Sequence, residues 1–286
     1  MLNVFSEGEG AVHTSDGVRI FYRTAGEGER TLLFMHGWGG SGSGSFWTPL
    51  LRHLDPENLR FVLVDLRGHG RSEHTRDGFT TERFAEDMFE VADHVGAREL
   101  IPVGYSMSGR WAQWMACSRP ECVVGQVLVG PAPASAMPLT PELADDWVQS
   151  VATREGYHRF ETRFTKNALP DDILDDCFAA VQSTPEFSLR ETLRMCAQAG
   201  FAEKLSLVKV PTVVIGGLHD PILTPDYLRQ QVAAKIPGAR LALLDCGHNL
   251  PLEMPRETAA VIEGFMAGLA SLSKPRGLKN AREPGL

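Results

Sequence analysis

The stretch GYSMSG, residues 104–109, decides the fold of this chain because it joins a strand-like run to a helix-like one. The residues before it, LIPVG (100–104), are apolar and end in glycine, which predicts a short buried strand. The residues after it, MSGRWAQWMACSR (107–119), have a helical pattern and are followed by proline. A serine at such a turn has a strained backbone and a hydroxyl above the sheet edge. The stretch therefore predicts a nucleophile, but it contains two serines.

The size of the neighbouring residues indicates which serine lies at the tip of the turn. The residues two positions before and after the tip crowd each other, so both must be small. With Ser106 at the tip they are Gly104 and Ser108, whereas with Ser108 at the tip one of them is Arg110, which would collide. We therefore predict that Ser106 is the nucleophile and that Ser108 is a tolerated replacement for glycine.

A serine hydroxyl reacts only when a positioned base removes its proton and a carboxylate fixes the tautomer of that base. On a mostly parallel sheet of this kind the acid and then the histidine follow the nucleophile along the chain. Asp220 follows the apolar run VVIGG, and His248 comes after the next run, 28 residues later. Because parallel strands end at one edge of a sheet, Ser106, Asp220 and His248 are predicted to meet there. Asp245 is the alternative orienting acid.

An oxyanion formed during acyl transfer needs two backbone N–H groups directed at one point. The first is predicted to come from Met107, directly after the nucleophile. The second is predicted to come from Trp38, in the glycine-rich turn HGWGG (36–40), where the glycines permit the backbone to bend toward a substrate. His36 resembles a catalytic base, but we expect it to hydrogen-bond this turn to its neighbours.

Apolar runs and helix-like segments alternate along most of the chain, which is typical of an α/β fold. We predict a mostly parallel sheet of roughly eight strands flanked by helices, with an antiparallel edge hairpin near 12–28. Helices are predicted at 81–96 and 255–270. The other predicted strands each end in glycine or another turn former: 31–37, 61–68, 100–106, 126–132, 211–217 and 240–247.

Residues 134–201 contain no strand-like run, and helices are predicted to begin near 140–142, 170–171 and 184–186. We predict a helical lid here, inserted into a core of residues 1–133 and 202–272, with a disordered tail at 273–286. The acidic cluster at 171–176 has metal-like spacing, but without a nearby histidine it predicts a helix start. Substrate contact is predicted for five aromatic residues, with helix-to-sheet packing as the alternative: Trp38, Trp147, Phe160, Phe164 and Phe187.

The composition limits the partners of this protein. A net charge of −8 and a pI of about 5.6 argue against nucleic acid and anionic membrane surfaces. No apolar run approaches the ~20 residues of a membrane span, and the opening segment lacks the pattern of a secretory signal, so we expect a cytoplasmic protein. The five cysteines lack metal-binding or disulfide spacing and are expected to be free thiols. Cys246, close to His248, is the one for which reactivity is conceivable.

Taken together, four landmarks in order resemble the α/β-hydrolase superfamily, specifically its lidded esterases, haloperoxidase-like enzymes and carbon–carbon hydrolases. The resemblance extends over residues 12–268, and the one departure is Ser108, where glycine is usual. In this family the second landmark is a structural turn, so no catalytic role is implied for Asp65, Arg67, His69 or Ser72. The landmarks are HGWGG (36–40), DLRGHGRS (65–72), GYSMSG (104–109), and GGLHDPI (216–222) with CGHNLPLEMP (246–255).

The resemblance implies that Ser106 attacks a carbonyl and that water activated by His248 hydrolyses the acyl-enzyme. It implies no metal or organic cofactor, and a small-molecule substrate is the expected partner, while the oligomeric state stays open. The apolar lid predicts a small or medium ester, thioester or lactone with a largely apolar acyl or alcohol part. Three alternatives remain open: a carbon–carbon bond hydrolase acting on a diketone, a cofactor-free haloperoxidase or perhydrolase, and a hydrolase-like ligand receptor.

Overall fold

The computed structural model describes residues 8–39, 44–198 and 200–273. One eight-stranded sheet forms its centre, with the strand order β1-β2-β4-β3-β5-β6-β7-β8. The strands are β1 Gly8–His13, β2 Arg19–Ala25, β3 Arg30–Met35, β4 Leu59–Val64, β5 Glu99–Tyr105, β6 Gln126–Val129, β7 Thr212–Gly217 and β8 Arg240–Leu244. Neighbouring strands from β4 to β8 are parallel, whereas β1–β2 and β2–β4 are antiparallel. The predicted mostly parallel sheet and its edge hairpin are confirmed.

Helices cover both faces of the sheet and fill the long connection between β6 and β7. Short 3₁₀ turns at Gly44–Trp47, Ser106–Ser108, Ala202–Leu207 and Ala233–Lys235 supplement them. The helices are α1 Thr48–Leu51, α2 Thr81–His94, α3 Gly109–Ser118, α4 Pro141–Ser150, α5 Arg154–Thr162, α6 Asp171–Gln182, α7 Glu186–Ala197, α8 Pro225–Gln231, α9 Leu250–Glu253 and α10 Pro255–Ser273.

The apolar strands are explained by a core layer on each face of the sheet. Successive side chains of a strand point to opposite faces, so a strand covered on both sides must be apolar throughout. In β3, Leu33 and Met35 belong to one layer, which also contains Trp111 of α3. Leu32 and Phe34 belong to the other layer, which includes residues of α10.

Several predicted strands were too long at their carboxyl ends. The runs predicted at 61–68 and 126–132 become β4 and β6, which end at Val64 and Val129. The residues beyond them are buried, Asp65 and Arg67 included, but lie outside the strands at the sheet edge. Composition alone does not separate a strand end from a buried turn, because both are shielded from water.

Four helices, α4–α7, form what we call the helical insertion, the segment between β6 and β7. Three of them begin where the sequence predicts, whereas α5 was not predicted. Its start is fixed by Thr153, whose hydroxyl accepts a hydrogen bond from the Gly156 N–H at 3.1 Å. Buried Arg110 of α3 donates to the carbonyl of Ser135 at 2.8 Å and to that of Gln198 at 3.4 Å, so it holds both ends of the insertion.

The turn after β4 is structural, as the family resemblance implies. The Arg67 guanidinium forms a fully buried ion pair with Asp87 of α2 at 2.6 Å. The Ser72 hydroxyl accepts from the Phe21 N–H at 2.8 Å and donates to the Asp65 carbonyl, so the turn connects β2 to β4.

Two predictions concern segments that the structure describes only in part. Ser273 ends α10, and residues 274–286 of the predicted disordered tail lie outside the described residues, as does Gly40 of the glycine-rich turn. In the described ranges, no helix has both the length and the apolar composition for crossing a bilayer.

Candidate active site

Ser106 lies where β5 turns sharply into α3. It has a φ of 52°, which is a rare and strained backbone conformation for a residue with a side chain. The turn closes only because Gly104 has no side chain. A Cβ at Gly104 would lie 2.6 Å from the Ser108 carbonyl oxygen and 2.8 Å from the Gly109 Cα. The crowding used to choose between the two serines is therefore present in the structure.

Ser108 does more than tolerate the place of a glycine. Its buried hydroxyl accepts a hydrogen bond from the Tyr105 N–H at 2.9 Å and lies 2.7 Å from the Met35 carbonyl oxygen, to which it can donate. A glycine could make neither contact. Ser108 thus attaches the turn to the neighbouring strand β3, which the sequence pattern did not indicate.

The structure brings the three predicted catalytic side chains together at the carboxyl edge of the sheet. The Ser106 Oγ lies 2.9 Å from the His248 Nε2, and the His248 Nδ1 lies 2.6 Å from the Asp220 Oδ2. Asp220 and His248 are 2% and 8% exposed, so water competes little for these hydrogen bonds. This arrangement lets the imidazole take the serine proton while its other nitrogen donates to the carboxylate.

The carboxylate of Asp220 is held by the backbone as well as by the histidine. Its Oδ1 accepts from the N–H groups of Ile222 and Leu223, each at 2.9 Å. Burial would raise the pKa of Asp220, but the His248 charge and these hydrogen bonds outweigh it and lower the pKa below the usual 3.8. The alternative acid, Asp245, is exposed and contacts Lys166 and His219 instead.

The glycine-rich turn after β3 lies directly against Ser106. A Cβ at Gly37 would lie 2.9 Å from the Tyr105 ring and 3.0 Å from the Ser106 Cβ, so only glycine fits. Buried His36 accepts from the Leu66 N–H at 3.1 Å, and its Nδ1 lies 2.9 Å from the Gly37 carbonyl. Burial lowers its pKa to about 4, which keeps the ring neutral and in a structural role.

Ser106 opens into a cavity of about 740 Å³, counting the space open to solvent, between the sheet edge and the helical insertion. Trp38 and Met107, the predicted oxyanion residues, line this cavity together with Ser106. The Trp38 indole N–H also donates to the Leu189 carbonyl of α7 at 2.8 Å, which connects the glycine-rich turn to the insertion.

Four of the five aromatic residues predicted to contact substrate line the cavity, namely Trp38, Trp147, Phe160 and Phe164. The fifth, Phe187, does not. Its ring lies 6.3 Å from the Phe79 ring and 4.6 Å from the Arg76 guanidinium, so it packs the start of α7 onto the core. Helical periodicity correctly predicted that Phe187 packs against other residues, but it could not distinguish the core from the cavity.

Two other predicted candidates have no reactive environment. Cys246 is fully buried, and burial raises the pKa of its thiol to about 12, so it is not a thiolate near neutral pH. The acidic cluster at 171–176 begins α6, and Asp175 pairs with Arg154. Throughout the described ranges, no group of three or more His, Cys, Asp or Glu side chains could hold a metal ion.

A polar cluster that lies beside His248 was not predicted from the sequence. The Tyr105 hydroxyl donates to the Asn249 Oδ1 at 2.5 Å, and the Asn249 Nδ2 donates to the Glu161 Oε2 at 2.6 Å. Tyr157 lines the cavity together with Glu161. Tyr105 directly precedes Ser106, and Asn249 directly follows His248, so their positions in the sequence could have indicated both residues. The position of Glu161 in the sequence gives no comparable indication.

Comparisons with known proteins agree with this fold. A family profile described as "Alpha/beta hydrolase family" matches residues 32–261. The chain is similar to a non-heme haloperoxidase of Rhodococcus erythropolis, with 25% identity over 80% of this chain and 89% of that protein. It is also similar to the pimeloyl-[acyl-carrier protein] methyl ester esterase of Yersinia pseudotuberculosis, with 28% identity over 86% and 84% of the two chains. Among solved structures, an esterase of Exiguobacterium antarcticum has the same fold, with a TM-score of 0.82, 18% identity and coverage of 90% and 98%.

Proposed function

Since this chain belongs to the alpha/beta hydrolase family, we propose that it is a serine hydrolase that cleaves a small or medium, largely apolar ester, thioester or lactone. The observation that carries the proposal is the chain of two hydrogen bonds from Ser106 through His248 to Asp220, at 2.9 and 2.6 Å. The relationship to a methyl ester esterase supports the same chemistry.

In the proposed mechanism, His248 Nδ1–H donates to Asp220, so Nε2 is free of a proton and accepts that of Ser106. The serine oxygen then attacks the substrate carbonyl. The N–H groups of Trp38 and Met107 stabilise the oxyanion, an effect worth about 2.7–4 kcal/mol for one such donor. The histidine gives its proton to the leaving group, and a water activated by His248 hydrolyses the acyl-enzyme.

The apolar cavity supports the proposed substrate class. Trp38, Trp147, Phe160 and Phe164 form an aromatic wall of the cavity that Ser106 also lines, with neighbouring ring centroids 4.8–5.9 Å apart. Apolar and aromatic side chains of this kind predominate in small-molecule sites. We propose that the helical insertion acts as a lid, since its helix α5 supplies part of this wall. The free thiols in the described residues support a reducing, cytoplasmic location.

A second candidate activity is perhydrolysis, in which peroxide replaces water in attacking the acyl-enzyme. The relationship to a non-heme haloperoxidase favours it, and it would use the same three side chains. Peroxide-dependent halogenation in carboxylate buffer would identify it. A carbon–carbon hydrolase would be identified by turnover of a diketone in the absence of ester turnover.

The proposed function is tested by combining turnover with covalent labelling. We expect the purified protein to hydrolyse chromogenic esters of several acyl lengths and to react with a fluorophosphonate probe at Ser106, as located by mass spectrometry. Turnover without adduct at Ser106 would contradict the proposed nucleophile. Tight binding of a small ligand with neither turnover nor labelling would instead identify a receptor.

The proposed role of His248 predicts a pH dependence of both activity and stability. Burial lowers the pKa of His248, but the charges of Asp220, Glu161 and Glu253, with the Asp220 hydrogen bond, outweigh it and raise the pKa above 6.5. Because only the neutral imidazole accepts the serine proton, we expect kcat/KM to rise with pH, with a midpoint above 6.5. A midpoint below that value would contradict this electrostatic account.

The stability effect has the opposite sign. A histidine whose pKa is raised by folding stabilises the folded protein when charged, so its contribution is complete below pH 6.5 and is lost as pH rises through the folded pKa. We expect His248→Gln to reduce the free energy of unfolding more at about pH 6 than at about pH 9. Denaturant titrations of both proteins at the two pH values measure the difference, and an equal loss at both would contradict it.

A further inference from the structure

The cavity beside Ser106 contains one carboxylate that the proposed mechanism does not use. Glu161 of α5 lines the cavity among Tyr157, Phe160 and Phe164, which are all aromatic. Burial raises its pKa, so the protein has placed an acid where its charge is costly. A costly group in a substrate cavity requires either a structural or a recognition role.

The partners of Glu161 leave part of its hydrogen-bonding capacity unused. A carboxylate offers about four acceptor positions, and Glu161 accepts from the Asn249 amide at 2.6 Å, with the Tyr157 side chain also lining the cavity. Glu253, in contrast, accepts from four backbone N–H groups of the adjoining loops, at 2.8–3.2 Å, which is a structural arrangement. Glu161 therefore faces the cavity with acceptor positions to spare.

In the described part of the chain no lysine or arginine pairs with Glu161, and the basic group that acts on its charge is the His248 imidazole. The cavity-lining residues include no lysine or arginine in the described part of the chain. The nearest arginines along the chain, Arg159 and Arg163, pair with Glu155 and Asp146 on the surface. A ligand that brings a hydrogen-bond donor would satisfy the carboxylate, whereas a ligand that brings a carboxylate would be repelled.

We propose that Glu161 determines substrate specificity by accepting a hydrogen bond from a donor group (hydroxyl, amide N–H or ammonium) carried by an otherwise apolar substrate. This inference rests on the proposed hydrolase function and narrows its substrate class. Glu161 is hydrogen-bonded to Asn249, the residue after His248, so the donor group of the substrate would lie on the histidine side of the cavity. The rest of the substrate contacts the aromatic wall.

Matched substrates test the proposal directly. We would measure kcat/KM for two series of esters. In the first, aryl esters have acyl chains of equal length that end in methyl, hydroxyl or ammonium. In the second, the same three end groups are carried by the alcohol part. Wild type should favour the hydroxyl ester over the methyl ester in one of the two series. Because a hydrogen bond to a charged group is involved, Glu161→Leu should reduce this preference about tenfold to a hundredfold. A preference below twofold in wild type in both series, or one that survives in Glu161→Leu, would overturn the proposal.

A conservative variant separates recognition from a purely structural role. Glu161→Gln keeps the shape and a partner for Asn249 but loses the charge. Glu161→Gln should retain the preference for the hydroxyl ester, since a hydroxyl can also accept a hydrogen bond from the glutamine amide. The kcat/KM for the ammonium ester relative to the methyl ester should fall about tenfold, because the charge is lost. The matched control is Asp175→Asn, which removes an exposed carboxylate of the same insertion and should leave all ratios unchanged. Equal losses for all substrates in Glu161→Gln would assign Glu161 a structural role only.

Binding to Ser106→Ala distinguishes failure of this proposal from failure of the proposed function. Calorimetry would compare unreactive ketone analogues of the methyl and hydroxyl esters. If the hydroxyl ketone binds more tightly than the methyl ketone, and Glu161→Leu abolishes this difference, the recognition role is supported even if no ester is turned over. Equal binding of the two ketones overturns it, even if Ser106-dependent hydrolysis is found.

Discussion

Ser106→Ala is expected to reduce kcat for the best ester substrate by about 10⁴-fold to 10⁶-fold and to abolish fluorophosphonate labelling. Without the hydroxyl there is no oxygen for the His248 Nε2 to deprotonate at 2.9 Å, and no acyl-enzyme can form. Residual activity would come only from the oxyanion N–H groups and substrate binding. Steady-state kinetics, with the folded state checked by circular dichroism, measure the loss.

The matched control is Ser108→Ala, two residues along the same turn. It should still be labelled at Ser106, because the Ser108 hydroxyl is directed at the Met35 carbonyl rather than at the cavity. Its cost should appear in stability, at about 1–3 kcal/mol, since the buried Tyr105 N–H and Met35 carbonyl lose a partner. If Ser108→Ala abolished labelling while Ser106→Ala kept it, the nucleophile would have been assigned to the wrong serine.

The fold and the three hydrogen-bonded side chains could be predicted because local pattern and chain order determine them. A strand covered on both faces has to be apolar, and parallel strands end at one edge, so the turns after β5, β7 and β8 lie along the same edge, with only β6 between β5 and β7. Asp220 and His248 follow β7 and β8, and this placement needed no knowledge of the packing. The same logic selected Ser106, since only its neighbours were small enough for the turn.

What could not be predicted depends on how the helical insertion packs against the sheet. Phe187 and Phe164 have the same apolar character in the sequence, yet only Phe164 lines the cavity. Glu161 looks like a solvent-exposed residue of an amphipathic helix, and its contact with Asn249 joins positions 88 residues apart. Ser108 was judged by its size, and its hydroxyl contact with β3 is a tertiary feature that the turn pattern does not contain.

Asp220→Asn is expected to reduce kcat by about 10⁴-fold while leaving the fold intact. The asparagine side-chain oxygen can still accept from the Ile222 and Leu223 N–H groups, so the loop should keep its shape. Its amide would then face His248 Nδ1 and donate to it. The ring proton would move to Nε2, which could no longer accept the proton of Ser106.

The wrong tautomer, rather than a lost contact, should account for this defect. Labelling by fluorophosphonate should slow as much as kcat, whereas KM should change little, because Asp220 does not line the cavity. Asp245→Asn is the matched control, since Asp245 lies three residues before His248 but is exposed and pairs with Lys166. It should retain kcat within about twofold. If Asp245→Asn were the more damaging substitution, the orienting acid would be Asp245, and the hydrogen bond at 2.6 Å between Asp220 and His248 would be structural only.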